Sequence, residues 1–201
     1  FGDTGMDRFP LLVKIIDAKD DLSIQVHPDD AYAKAHENGS LGKTECWFIL
    51  DCKENATLVV GHNAKTKEEL EQMIHEGRWK EFIREIPIKP GDFIQIDPGT
   101  VHAIKGGTLL LETQQSSDIT YRVYDYDRLS NGKPRQLHIV QSIDVITVPA
   151  KSADNSVVHI EKKDDAIQQL IQCPYYTVYR IDVEHRVETW QDKPFALMSV
   201  V

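Results

Sequence analysis

The sequence predicts a mainly β protein, a sandwich or small barrel with short helical insertions, and three observations carry that reading. Short apolar or β-branched runs recur along most of the chain. Pairs of turn residues punctuate them at Pro90-Gly91, Pro98-Gly99 and Gly106-Gly107. The 201 residues are 41% hydrophobic and 27% charged, which supplies a sizeable core and excludes a disordered tail or a disulfide-stapled miniprotein.

The first strands are expected at 11–16, 23–26 and 45–50, the last leading through a polar turn at 51–55 into a strand at 57–60. Four more follow at 92–96, 102–104, 108–113 and 119–124. Closely spaced strands with such turns suit antiparallel meanders. Two helical segments interrupt them. Pro28, Asp29 and Asp30 open a helix over 28–35, since proline fits a first turn and acids favour the positive helix end. Thr66 and Glu69 form a capping box. Beyond it Leu70, Met73 and Ile74 recur at helical spacing, and Trp79, Phe82 and Ile83 continue an insertion near 66–84. That apolar stripe reads as core packing.

Residues 135–145 read as a further helix or turn, and 151–156 as a polar linker. Strands are expected again at 175–183, 187–190 and 195–201. The chain therefore divides into a unit at 1–150 and, at 151–201, a linker with the beginning of a second, incomplete β unit. Because Phe1 stands where an initiator Met would, the chain reads as an internal piece of a longer protein.

Lys plus Arg number 23 against 32 Asp plus Glu, a net charge of −9. Such a chain has no overall attraction for nucleic acid or anionic lipid, although a few local cations suffice for a small phosphorylated substrate. No apolar run is long enough to span a bilayer, and no basic-then-apolar leader is visible. Cys46, Cys52 and Cys173 are odd in number and lack metal-knuckle spacing, which favours a reducing, cytoplasmic setting.

Three places carry chemistry. On a strand at 23–27, Ser23, Gln25 and His27 share one face, and burying them is costly unless they bind something. Glu45 opens an apolar strand, with Lys43 on its face. The Pro98-Gly99 turn aims His102 inward. Imidazole and carboxylate are ligands for zinc, iron or manganese. Singly, each has a plainer reading as a solvated acid or a hydrogen-bonded histidine, as His36, His62, His75, His138, His159 and His185 are taken to be. Together, on strand starts beside turns, they make one candidate site.

These residues also carry a resemblance. Gln25-x-His27, Glu45, Gly91 and Pro98-Gly99-x-x-His102 resemble the two sequence motifs of the cupin barrel. Phe9-Pro10-Leu11-Leu12-Val13-Lys14, Leu22-Ser23-Ile24-Gln25-Val26-His27-Pro28-Asp29, Gly42-Lys43-Thr44-Glu45 and the segment 115–122 resemble type I mannose-6-phosphate isomerases, in the short form of Gram-positive bacteria. The resemblance covers nearly the whole chain. It implies a cupin (jelly-roll-like) β-barrel and a cytoplasmic enzyme with one divalent metal, usually zinc. It also implies a sugar phosphate as substrate, with mannose 6-phosphate and fructose 6-phosphate interconverted. By position it implies Gln25, His27, Glu45 and His102 as metal ligands, Arg122 as a catalytic residue, and Ser23 and Lys43 in the substrate pocket. Arg128 falls where the long eukaryotic form contacts phosphate, but the segment 121–128 departs from that form.

The chemistry suits the residues. Turning an aldose into a ketose moves a proton between neighbouring carbons through an enediol, and a metal can act as Lewis acid on the developing oxyanion. Arg122 can add to that stabilisation but is too basic to be the base. Lys43 and a carboxylate beside the metal are both candidates for the base. Two other readings use the same ligands: a non-haem iron oxygenase with two His and one carboxylate, and a sugar-binding cupin with a structural metal, which would need neither Arg122 nor Lys43. For Arg128 the plainer reading is an ion pair with Asp125 or Asp127.

Overall fold

The computed structural model describes residue 5 and residues 8–152 and 157–201. Two five-stranded antiparallel sheets carry it. The first runs in the order β1 (Leu11–Ala18), β8 (Thr108–Gln115), β3 (Glu45–Cys52), β6 (Asp92–Ile96) and β12 (Val157–His159). The second runs β5 (Ile83–Pro87), β4 (Thr57–His62), β7 (His102–Ala103), β2 (Ile24–Val26) and β9 (Tyr121–Tyr124). The chain crosses repeatedly from one sheet to the other, the jelly-roll habit. The two sheets enclose one core, but their edges do not join into a closed barrel.

Strand alternation sorts the side chains into layers. Between the sheets, Trp47, Ile49, Ile94 and Leu110 meet Leu58, Val60 and Ile86. Burying each large apolar side chain contributes about 1.5–3 kcal/mol. The outer face of the second sheet, with Ile24, Val26, Val59 and Val123, packs against α2 (Lys67–His75), α3 (Trp79–Phe82) and α4 (Ile139–Val145). The expected apolar stripe supplies that contact through Leu70, Met73, Ile74 and Phe82. On the outer face of the first sheet, Cys46 and Phe93 pack with Tyr176, Leu170 and Val178 from the hairpin β13 (Ala166–Gln172) and β14 (Thr177–Asp182).

The local signals act as their chemistry requires. Thr66 accepts a hydrogen bond from the Glu69 amide at 3.2 Å and starts α2. Asp29 accepts from the Tyr32 amide at 2.8 Å and caps α1 (Asp30–His36), so Pro28 lies outside the helix rather than in its first turn. Ile83 belongs to β5, not to the helix before it. The segment 135–145 narrows to α4, preceded by a small hairpin of β10 (Leu129–Ser130) and β11 (Lys133–Pro134).

The segments 187–190 and 195–201 are irregular rather than strands. No described strand lies beside them to complete a ladder, and Trp190 is 98% exposed. Conversely, β13 was masked in sequence by its glutamines and emerges only through pairing with β14. Of the expected linker, residues 153–156 lie outside the described residues.

Candidate metal centre

One row of inward-facing side chains runs across the second sheet. His102 on β7 sits opposite Gln25 on β2, and Gln25 sits opposite Arg122 on β9. Ile24 and Val26 turn to the helix side, which leaves Gln25 facing the interior. His27 follows β2, and its carbonyl accepts from the Gly99 amide at 2.9 Å. The Asp97–Pro98–Gly99 turn thereby ties both histidines to one loop. Gly99 has φ +80°, and a Cβ there would lie 2.4 Å from Thr147 Oγ1, so the tie requires glycine.

Glu45 enters from the first sheet, at the start of β3. Its Oε1 lies 3.3 Å from His102 Nε2 and its Oε2 lies 3.5 Å from His27 Nε2. The three ligand atoms all fall within 4.8 Å of one another, and all three residues are buried. Lys43 Nζ lies 3.3 Å from Glu45 Oε2. The Gln25 amide nitrogen lies 3.3 Å from His102 Nε2.

Protonation follows from this enclosure. Burial pushes His27 down to about 4, helped by His102 and Lys43 and opposed by Glu45. Burial likewise lowers His102. Burial alone would raise Glu45, but the two imidazoles and the Lys43 ammonium outweigh it and hold the carboxyl ionised. His102 Nδ1 donates to the Thr100 carbonyl at 2.8 Å, so in the neutral ring Nε2 is a lone pair. That lone pair faces a carboxylate. Both ring nitrogens of His27 and both oxygens of Glu45 are buried without a hydrogen-bond partner among the described residues. Buried groups of this kind are costly when unmatched. A divalent cation would answer His27 Nε2 and the Glu45 oxygens at once, leaving only His27 Nδ1, and two imidazoles with one carboxylate are a donor set it accepts.

The remaining expected residues divide. Arg122 Nε donates to Ser23 Oγ at 3.3 Å and its Nη1 to the Gln136 carbonyl at 2.9 Å, so Ser23 and Arg122 stand together beside Gln25. Arg128 does not join them among the described contacts. It pairs with Asp125 at 2.6 Å, lies over the Tyr126 ring, and donates to the Asp21 carbonyl.

The sequence reading missed a second polar group on the interior face of the first sheet. Lys14 on β1 reaches Glu112 at 2.8 Å and the Gln114 side-chain oxygen at 2.5 Å. Trp47 Nε1 donates to the other Glu112 oxygen at 3.1 Å, and its ring meets His102 edge-on at 5.5 Å between centroids. The alternation Leu110, Glu112, Gln114 carried a signal, because a buried leucine shares its face with two polar residues.

Comparison with known proteins follows the same lines. The family model of the type I phosphomannose isomerase catalytic domain matches residues 1–48. The chain is 52% identical to mannose-6-phosphate isomerase ManA of Bacillus subtilis over 202 residues, covering 100% of this chain and 64% of that protein. It is 48% identical to the mannose-6-phosphate isomerase of Streptococcus mutans, covering 100% of this chain and 63% of the relative. The chain thus spans a little under two thirds of the length of these relatives. The crystal structure of a mannose 6-phosphate isomerase from Bacillus subtilis superposes with a TM-score of 0.76 at 50% identity, covering 87% of this chain and 56% of that one. A mutant phosphomannose isomerase from Salmonella typhimurium shares the fold, at a TM-score of 0.62 and 16% identity over 77% of this chain and 57% of that one.

Proposed function

Because this chain belongs to the type I phosphomannose isomerase family, we propose that it supplies the catalytic centre of an isomerase that interconverts mannose 6-phosphate and fructose 6-phosphate. The observation that carries the reading is the buried His27–Glu45–His102 cluster, with Lys43 against Glu45 and Arg122 opposite Gln25 on the neighbouring strand. His27, Glu45 and His102, with Gln25 beside them, would hold one divalent ion per chain, and we take it to be zinc. When bound, that ion supplies Lewis-acid stabilisation of negative charge on a substrate oxygen.

The chain's own residues account for the rest. Arg122 presents a permanent positive charge where the enediol's oxygen becomes negative. Ser23 fixes the guanidinium through its hydrogen bond. Lys43 can exchange a proton, which a guanidinium cannot, and we assign it the acid–base part of the transfer. Its contact with Glu45 keeps the ammonium within reach of the cluster. The interior wall around Trp47 and Leu110 limits water at the reacting carbons. Arg128 has no part in this assignment, since Asp125 already occupies its fork.

We read residues 1–150 as the metal-binding unit and 151–201 as a linker and the start of a second unit, for which the separate two-stranded sheet of β13 and β14 speaks, while β12 adds an edge strand to the first sheet. Cys46, Cys52 and Cys173 are free, in keeping with a reducing cytoplasm. No described helix is long and apolar enough to cross a membrane. The test is a metal analysis with an anaerobic coupled assay on mannose 6-phosphate, run on the same sample. Zinc with isomerisation supports the reading. An iron-dependent uptake of oxygen in its place would move the protein to the oxygenase class.

A further inference from the structure

The loop that holds the two histidines has a second side. Gly99, Thr100 and Val101 also form a wall of a cavity of about 280 Å³ that contains none of the metal-centre side chains. Arg84 and Gly61 line this cavity, and so do Asp97 and Lys151. Asp97 is held by Lys151 and accepts from Gln95 Nε2 at 3.3 Å. Its charge is thereby matched, and among the described lining residues Arg84 leaves one positive charge in excess.

Arg84 is half-buried and has no carboxylate partner among the described residues. Its Nε donates to the Val60 carbonyl at 2.9 Å, and its two terminal nitrogens have no partner among the described residues. The guanidinium lies against the bare backbone of Gly61, where φ is +89° and a Cβ would come within 2.3 Å of Nη2. Glycine is therefore needed twice at this point, for the dihedral and for the space. His62 lines the same cavity at 3% exposure; its Nε2 meets the Thr147 carbonyl at 2.9 Å, and its Nδ1 is buried with no partner. A fixed guanidinium whose terminal nitrogens are unmatched suits an acceptor-rich ligand. His62 Nδ1, the lone pair left when Nε2 donates to the Thr147 carbonyl, can accept only from a ligand hydroxyl such as an acidic P–OH. The planar fork fits an oxyanion in a bidentate way.

We propose that this cavity binds a small oxyanion of the phosphate class, gripped by the terminal nitrogens of Arg84. The occupant rests against the loop whose Thr100 carbonyl orients His102 and whose Gly99 amide holds the His27 carbonyl. Binding here is separate from the isomerase reading and stands or falls without it.

The test is a titration of the chain with inorganic phosphate at constant ionic strength, followed by amide chemical shifts. The Gly61 and Thr100 amides should shift and saturate. In Arg84→Gln the apparent affinity should weaken about tenfold or more, the equivalent of one lost charge-assisted contact. Arg84→Lys, which keeps the charge without the fork, should fall between the two and guards against a folding failure of the glutamine variant. Arg122→Ala should leave these shifts intact, which separates this cavity from the metal centre. Equal titrations for wild type and Arg84→Gln, or the same shifts with chloride, would overturn the proposal.

Discussion

His102 donates through Nδ1 to the Thr100 carbonyl, and that commitment leaves Nε2 as a lone pair facing Glu45. Glu45 supplies the anion that makes the cluster attractive to a cation. Glu45→Gln keeps the volume and removes the charge, so metal affinity should fall about tenfold or more, within the range seen when a ligand's charge is lost. The circular dichroism of the folded chain should survive, since the glutamine fills the same space and its amide oxygen can still accept from Lys43; global unfolding instead would make Glu45 a structural residue. Arg122 belongs to the step rather than to the metal. Arg122→Ala should retain metal and lose about 100-fold in kcat, the scale of a preorganised electrostatic group. Lysine should restore only part, because the fork that meets Ser23 is gone. An unchanged kcat with a raised KM would make Arg122 a binding residue. At this scale the sequence was informative where side chains alternate along one strand, as at Gln25 and His27. The alternation on β8 marked Glu112 as inward-facing, but its pairing with Lys14 depends on the β1–β8 register and could not be read locally.

The loop before β3 shows how an element sets a side chain. Gly42 donates to Asp30 Oδ1 at 2.8 Å and Lys43 donates to the Pro28 carbonyl at 3.0 Å, so the start of α1 positions Lys43 and Glu45. A Cβ at position 42 would lie 2.3 Å from the Asp29 backbone carbon, and backbone cannot step aside cheaply. Gly42→Ala should therefore destabilise the fold by about 1–3 kcal/mol, read from the urea midpoint, and a wild-type midpoint would contradict this placement. The turn after β9 offers a pH test. Arg135, and then Arg128, hold Asp125 below its ordinary value near 3.8. A depressed carboxyl contributes stability that is present above its unfolded pKa and is lost as pH falls through the folded one. The chain should lose stability on acidification below about 4, and Asp125→Asn should lose less across that window. A variant with the same acid dependence as the parent would assign the effect to other carboxylates. Capping signals at Thr66 and Asp29 were legible because they are local. The expected strands at 187–190 and 195–201 were not realised, because an apolar run becomes a strand only when another strand pairs with it.

Over the whole molecule, two sheets hold the candidate centre between them. The second contributes Gln25, His102 and Arg122 from adjacent strands, and the first contributes Glu45. The fold class was readable from the spacing of runs and turns, since antiparallel strands joined in short order leave few other solutions. The open edges and the docking of β12 beside β6 were not, because both depend on contacts distant in sequence. The account rests most heavily on the claim that His27, Glu45 and His102 hold one metal ion on which isomerisation depends. Metal content and turnover of mannose 6-phosphate, measured on the same samples of the wild-type chain and His102→Ala, test it directly. The account predicts about one equivalent of zinc in the wild type and the joint loss of metal and turnover in the variant. A variant that kept stoichiometric metal, or that kept its turnover without metal, would contradict it.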